Sequence, residues 1–292
     1  MKNFFIVANQ ANVDATLAAE NIISFLKSHG ADRADFYVKH NENDEQSEYR
    51  YTDPQVVPKD TEVIIVLGGD GTLLQTARDL VNLEIPLIGI NFGNLGFLSE
   101  IDKEKLDETL ERLIRDDYSI ESRMLLVGNV YRDNKCISEE IAFNDIVLNR
   151  CGSLGIIDFR VSVNEQYLSA YRADGIIIST PTGSTAYNMS AGGPIVNPSA
   201  RLMVLTPICP HTLNARSIIF GEDDEINIEI VPGKRRYSGT RIVSFDGDEE
   251  ITLYDEDRII IKKATKEVKI VKMNSISFLQ VLRRKMEGNE NS

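Results

Sequence analysis

Apolar runs alternate with stretches of helical spacing through the first third of the chain. Residues 4–8 form a short apolar run and read as a strand. Residues 14–28 carry Ala18, Ile22, Phe25 and Leu26 three and four apart, the spacing of one helix face, and Gly30 supplies a stop. Residues 35–38 read as a second strand. From 40 to 60 the chain is polar and holds six acids, which predicts a mobile surface loop. Residues 63–67 (VIIVL) are continuously apolar, as expected of a strand buried on both faces. A glycine turn and a helix over 72–81 follow, then a buried strand over 85–90 and a helix over 103–116. Strand and helix in alternation predict a parallel sheet with helices on its faces.

The pattern changes after about Ser122. Strand-like segments at 125–131, 141–148, 156–163 and 175–179 are separated by turn signals. The series continues at 201–205, 217–220, 226–231, 241–245, 250–253, 258–261 and 267–271. Many short strands with little helix between them predict a β-sandwich. Residues 275–287 read as a helix again. The expected fold is therefore α/β plus all-β. A Rossmann-like parallel-sheet domain spans 1–122, joined by a helix from 275–292 that packs back on it, and a β-sandwich spans 123–274.

Composition narrows the function. Among 292 residues, 45 are acidic and 32 basic, a net charge of -13, which argues against a basic face for nucleic acid or an anionic membrane. No run approaches the ~20 apolar residues of a membrane span. The N-terminal apolar stretch is too short for a signal peptide's core. Cys136, Cys151 and Cys209 are odd in number and form no CxxC pair, so a reducing cytoplasm is expected. His29, His40 and His211 are too scattered for a zinc site or a Ser-His-Asp triad.

Five segments carry candidate chemistry. In Gly68-Gly69-Asp70-Gly71-Thr72 the glycines let a backbone approach a ligand, and the following helix start offers amides to a phosphate. Asp70 beside a phosphate is tolerable if it binds a cation, accepts a proton or turns away; otherwise it caps the helix. Asn91-Phe92-Gly93-Asn94-Leu95-Gly96-Phe97-Leu98 follows a parallel strand, where open α/β sheets bind ligands, or is an ordinary turn. Phe143-Asn144-Asp145 sets an amide and a carboxylate inside an apolar run; the pair suits an adenine edge and ribose hydroxyls, or marks a strand end. Residues 172–194 are dense in small hydroxyls and glycine, and 175–200 hold no charged side chain, which suits neutral hydrogen bonding in a cleft. Residues 207–217 include His211, which reads first as a structural hydrogen-bonder.

Taken in order, GGDGT at 68–72, NFGNLGFL at 91–98, FND at 143–145, RADGIIISTPTGSTAYNMSAGGP at 172–194 and PICPHTLNARS at 207–217 resemble the NAD kinase family. GGDGT alone is shared with diacylglycerol-type lipid kinases, and a non-catalytic NAD(P)-binding sensor is the other alternative. The resemblance implies NAD bound between the two domains and phosphorylated by ATP, or polyphosphate in its place, at the 2'-hydroxyl of the adenosine ribose. It implies Asp70 as the base and Gly71 in the site, with amides of Gly68, Gly69, Gly71 and Thr72 on phosphate. Asn144 and Asp145 hold the adenosine half, and Thr185, Ala186, Tyr187, Asn188 and Ser190 match its pocket. Arg172 and Asp174 sit near the dinucleotide and reach across a subunit interface, which implies a dimer or tetramer. A divalent cation, Mg²⁺, is expected with ATP, and no protein metal ligand is assigned. Gln75 and Asp248 depart from the family pattern and are not carried over.

Overall fold

The computed structural model describes residues 1–8, 13–37, 52–92, 96–99, 101–152, 155–212, 214–232, 239–273 and 277–287. The chain divides into two compact units. One is Met1–Arg123 with Lys266–Ser292, the other Met124–Thr265.

The first unit contains β1 (Asn3–Ala8), α1 (Val13–Ser28), β2 (Arg33–Tyr37), β3 (Val63–Leu67), α2 (Asp70–Asp79), β4 (Leu87–Asn91), β5 (Ile101–Asp102) and α3 (Leu106–Ile114). Strands β1 to β5 pair in parallel, in the order β4-β3-β1-β2, with β5 beside β4. All five residues of β3 and of β4 are buried, as a sheet covered on both faces requires. Ala15, Ala19, Ile22 and Leu26 of α1 join Phe4, Ile6, Ile65 and Leu67 in one core. The long acidic stretch lies outside the described residues from 40 to 51; its end carries a 3-10 turn at Pro54–Val56 capped by Asp53.

The strand registers described in the second unit are antiparallel. Its strands are β6 (Ser119–Arg132, entering from the first unit), β7 (Lys135–Ala142), β8 (Asp145–Cys151), β9 (Ile157–Val163), β10 (Gln166–Ala173), β11 (Gly175–Ser179), β12 (Leu202–Ile208), β13 (Ile218–Gly221), β14 (Ile226–Val231), β15 (Thr240–Phe245), β16 (Glu249–Leu253) and the start of β17 (Arg258–Lys272). One sheet runs β13-β12-β11-β8-β15-β16, and the other runs β10-β9-β14-β17, with β6 and β7 off that path. Phe159, Ile228 and Ile259 from one sheet and Ile146, Ile176, Leu205 and Phe245 from the other form a single core, so the two are layers of a sandwich. The short helix α4 (Tyr187–Ser190) follows a 3-10 turn at Thr182–Thr185. The chain returns to the first unit through β17, whose Ile270 pairs with Leu87 in parallel, and ends in α5 (Phe278–Met286). The Ser277 side chain and Gln280 form a capping box at the start of α5.

Elements of the second unit differ from the expected pattern. The run 141–148 is two strands, because the chain breaks at Phe143–Asn144. Residues 258–261 and 267–271 are parts of one extended strand, since the polar stretch between them stays in the β conformation. β10 carries no strong apolar alternation, and its Tyr167 and Leu168 are exposed.

Candidate functional site

In the first unit, the strand-to-helix junction after β3 positions Asp70. Gly69 is the N-cap of α2 and Asp70 its first residue, so Asp70 does not cap the helix. Its carboxylate instead reaches the loop after β4. Oδ2 accepts from the Phe97 amide at 2.8 Å, and Oδ1 accepts from Leu98 at 3.0 Å and Ser99 at 2.9 Å. A Cβ on Gly96 would overlap this carboxylate, so glycine there is a steric requirement. The first two sequence motifs are thus one structure, with Asp70 as its centre. A carboxylate offers about four acceptor positions. Among the described residues three are taken, which leaves one on Oδ2. Gly71 is exposed beside it, while Thr72 is buried and its side chain closes against Gly68. Gly93, Asn94 and Leu95 lie outside the described residues. Phe97 faces α5, with its ring 6.2 Å from that of Phe278 and the Lys285 Nζ 5.5 Å from its centroid.

In the second unit, Asn144 and Asp145 stand at the break between β7 and β8. The break has a definite cause. The carboxylate of Asp246, at the tip of the β15–β16 hairpin, accepts from the amides of Phe143, Asn144 and Asp145 at 2.7, 2.6 and 3.1 Å. Amides turned to a side chain cannot continue a sheet ladder. On the other side the turn is held by the fourth motif. The Thr180 amide donates to Asn144 O at 2.9 Å, and its hydroxyl donates to Phe143 O at 2.7 Å. The Gly183 amide donates to the Thr180 hydroxyl at 3.0 Å, and a Cβ at Gly183 would overlap the Asn144 backbone.

Asp145 is 5% exposed, and its Oδ2 is buried without a hydrogen-bond partner. Burial first, and then the charge of Asp246, push its carboxyl up to about 7. A group poised there changes from donor to acceptor near neutral pH.

The hydroxyl-rich segment divides by exposure. Asn188 is fully buried and donates to Ser184 O at 3.1 Å and Pro194 O at 3.0 Å, while its Oδ1 accepts from the Thr206 hydroxyl at 2.7 Å. Its polar atoms are spent inside the fold. The Ser184 hydroxyl donates to Pro181 O, and the Thr185 hydroxyl turns back to Thr182 O. Ala186 is half-buried, Ser190 is exposed and Tyr187 is 41% exposed, so these present a surface. Arg172 pairs with Asp158 at 3.1 Å. Asp174 accepts from Arg150 at 2.9 Å, and that bond holds its carboxyl below the ordinary range. The His211 amide donates to Arg172 O at 2.7 Å, which ties the fifth motif to the fourth. Leu213, inside that motif, lies outside the described residues.

Sequence reasoning missed Asp246, which sits in an acidic run that reads as solvated turn. It also missed Arg150 and Thr180, whose roles depend on partners far along the chain. Among the described residues no three His, Cys, Asp or Glu side chains converge to hold a metal, and no helix is long and apolar enough to cross a membrane.

The family model for the ATP-NAD kinase N-terminal domain matches residues 4–118, and that for the ATP-NAD kinase C-terminal domain matches residues 143–273. A protein of Lachnospira eligens named NAD kinase is 45% identical, over 98% of this chain and 100% of its own. One of Lachnoclostridium phytofermentans, named likewise, is 44% identical over 98% of this chain and 99% of its own. Among solved structures, yeast NADH kinase complexed with NADH superposes with a TM-score of 0.83 at 25% identity, covering 100% of this chain and 89% of that one. An NAD kinase from Archaeoglobus fulgidus in complex with ATP shares the fold, with a TM-score of 0.73 at 20% identity, covering 96% of this chain and 99% of that one.

Proposed function

The chain belongs to the NAD kinase family, and from that premise we propose that it moves the γ-phosphoryl group of ATP to the 2'-hydroxyl of the adenosine ribose of NAD. The enzyme class, a kinase acting on NAD, goes with the family. The hydroxyl oxygen forms a bond to the γ-phosphorus as the bond to the β-phosphate oxygen breaks, and ADP leaves. Asp70 takes the hydroxyl proton. The single observation that carries this role is a carboxylate held by three successive amides, with one acceptor position on Oδ2 left among the described residues. Those bonds fix its direction, and one proton acceptor in a fixed direction is what general-base catalysis needs.

The other assignments follow the same division of labour. Of the four amides expected on phosphate, that of Gly68 donates to Ile90 O at 3.0 Å and that of Thr72 to Gly69 O at 3.1 Å, so the amides of Gly69 and Gly71, at the start of α2, are the ones assigned to phosphate in the favourable field of a helix N-terminus. Asn144 and Asp145 hold the adenosine half, with Thr185, Ala186, Tyr187 and Ser190 around it. Arg172 and Asp174 lie near the dinucleotide in an oligomer, a dimer or tetramer. Asn188 supports the pocket wall from inside. Among the described residues no three His, Cys, Asp or Glu side chains come together as a metal site, and the divalent cation, Mg²⁺, is assigned to the phosphates of ATP as part of that substrate. Three exposed, unpaired cysteines support a reducing cytoplasm as the setting.

The test is Asp70→Asn. General-base catalysis is worth ~10²–10⁴-fold in rate, so turnover falls by that order while calorimetric NAD binding persists. A variant with near-normal turnover sinks the assignment.

A further inference from the structure

Asp246 has φ 55° and Gly247 φ 74°, so both occupy the left-handed region at the tip of the β15–β16 hairpin. A tight hairpin asks for such a pair, and Asn or Gly would serve it as well as Asp. The carboxylate does more than the turn requires. Its Oδ2 accepts from the Phe143 amide and its Oδ1 from those of Asn144 and Asp145, while its own amide donates to Asp145 O at 3.0 Å. Amide bonds to an ionised acceptor are roughly twice as strong as neutral ones. One hairpin tip thereby fixes three successive residues about a hundred positions earlier in the chain.

We propose that Asp246 is a positioning residue for the dinucleotide: its carboxylate sets the backbone of Asn144 and Asp145 so that their side chains meet NAD in one arrangement. This rests on the reading of Asn144 and Asp145 as NAD-holding groups. The arrangement has an electrostatic consequence that a turn residue alone would not have. Asp145 is flanked on one side by the 175–200 segment, which holds no charged side chain. The charged neighbour that acts on it is Asp246, from the hairpin on the other side. The clamp therefore couples to the titration of Asp145.

Asp246→Asn and Asp246→Gly test this, because both residues favour the left-handed turn and keep the hairpin. Asn retains one acceptor oxygen but turns N–H hydrogens toward a backbone amide, and Gly removes the acceptor. Steady-state rates are measured against NAD and against ATP with Mg²⁺, beside Asp145→Asn and a melting curve for each protein. Leaving buried amides unpaired at a binding turn predicts a rise in KM for NAD of about tenfold or more in both Asp246 variants. KM for ATP stays near the parent value. In Asp246→Asn the acid limb of kcat/KM for NAD moves to lower pH, since the nearby charge is gone. If Asp145→Asn raises KM for NAD and the Asp246 variants do not, the positioning role is wrong and the reading of Asp145 survives. If Asp145→Asn also leaves KM for NAD unchanged, the reading of the pair itself fails. Equal rises in both KM values with a lowered melting point mean general loosening and overturn the proposal as well.

Discussion

Replacing Asp145 by Asn should stabilise the fold at neutral and alkaline pH. The carboxyl moves from an ordinary 3.8 to about 7 because it is buried and faces Asp246. At 1.36 kcal/mol for each factor of ten in proton affinity, that shift penalises the ionised form by about 4 kcal/mol. The sign follows from proton binding. Between pH 4 and 7 the folded state keeps a proton that the unfolded chain has released, so stability falls as pH rises through that window. Asn has nearly the same shape and no charge to bury, so its stability lacks this slope. Urea unfolding of both proteins between pH 5 and 8.5 reads the difference directly. The variant should gain about 3 kcal/mol on the parent across that range, an upper figure because water and side chains relax around the charge. A gap that stays constant with pH would refute the buried-carboxylate account. The same variant should bind NAD more weakly, and stability gained where function is lost marks a residue kept for its chemistry.

Gly96→Ala should act like a lesion at Asp70, since the new Cβ overlaps that carboxylate; a displacement of about 1 Å is worth on the order of a hundredfold in turnover, and normal turnover would contradict the geometry. Asn188→Ala should cost about 3 kcal/mol by stranding its three internal partners. For a chain of this size that is a fall in melting temperature of roughly 6–12 °C, read by calorimetry, and a shift under 2 °C would show that the network is not structural. The buried, hydrogen-bonded side chain is what decides that prediction.

The fold was legible where burial leaves a simple signature. The strands Val63–Leu67, Gly175–Ser179 and Ile226–Val231 stand where continuous or alternating apolar residues put them, and the parallel and antiparallel portions separate as the connection lengths imply. β10 escaped because a half-exposed strand needs no strict alternation. The helical turns within 182–190 escaped because four-residue elements have no period to read, and they are closed by side chains such as Ser184. The break at Phe143–Asn144 could not be seen locally, since its cause is Asp246, which stands beside β8 in the sheet but 101 to 103 positions later in the chain. The site shows the same limit. Composition located the neutral, glycine-rich segments, and the family resemblance gave them roles. Neither could reveal that Asp70 and Asp246 use one device, a carboxylate accepting three successive amides, to fix a loop. That pattern joins residues 27 to 29 positions apart in one case and 101 to 103 in the other.

The direct measurement is incubation of the purified protein with NAD, ATP and Mg²⁺, with the dinucleotide product separated and its phosphate position assigned by NMR. NADP carrying the new phosphate on the adenosine 2'-oxygen is expected, formed in step with ADP, abolished by chelating the cation and nearly abolished in Asp70→Asn. ATP consumed without a phosphorylated dinucleotide, or phosphate on another hydroxyl, would contradict it.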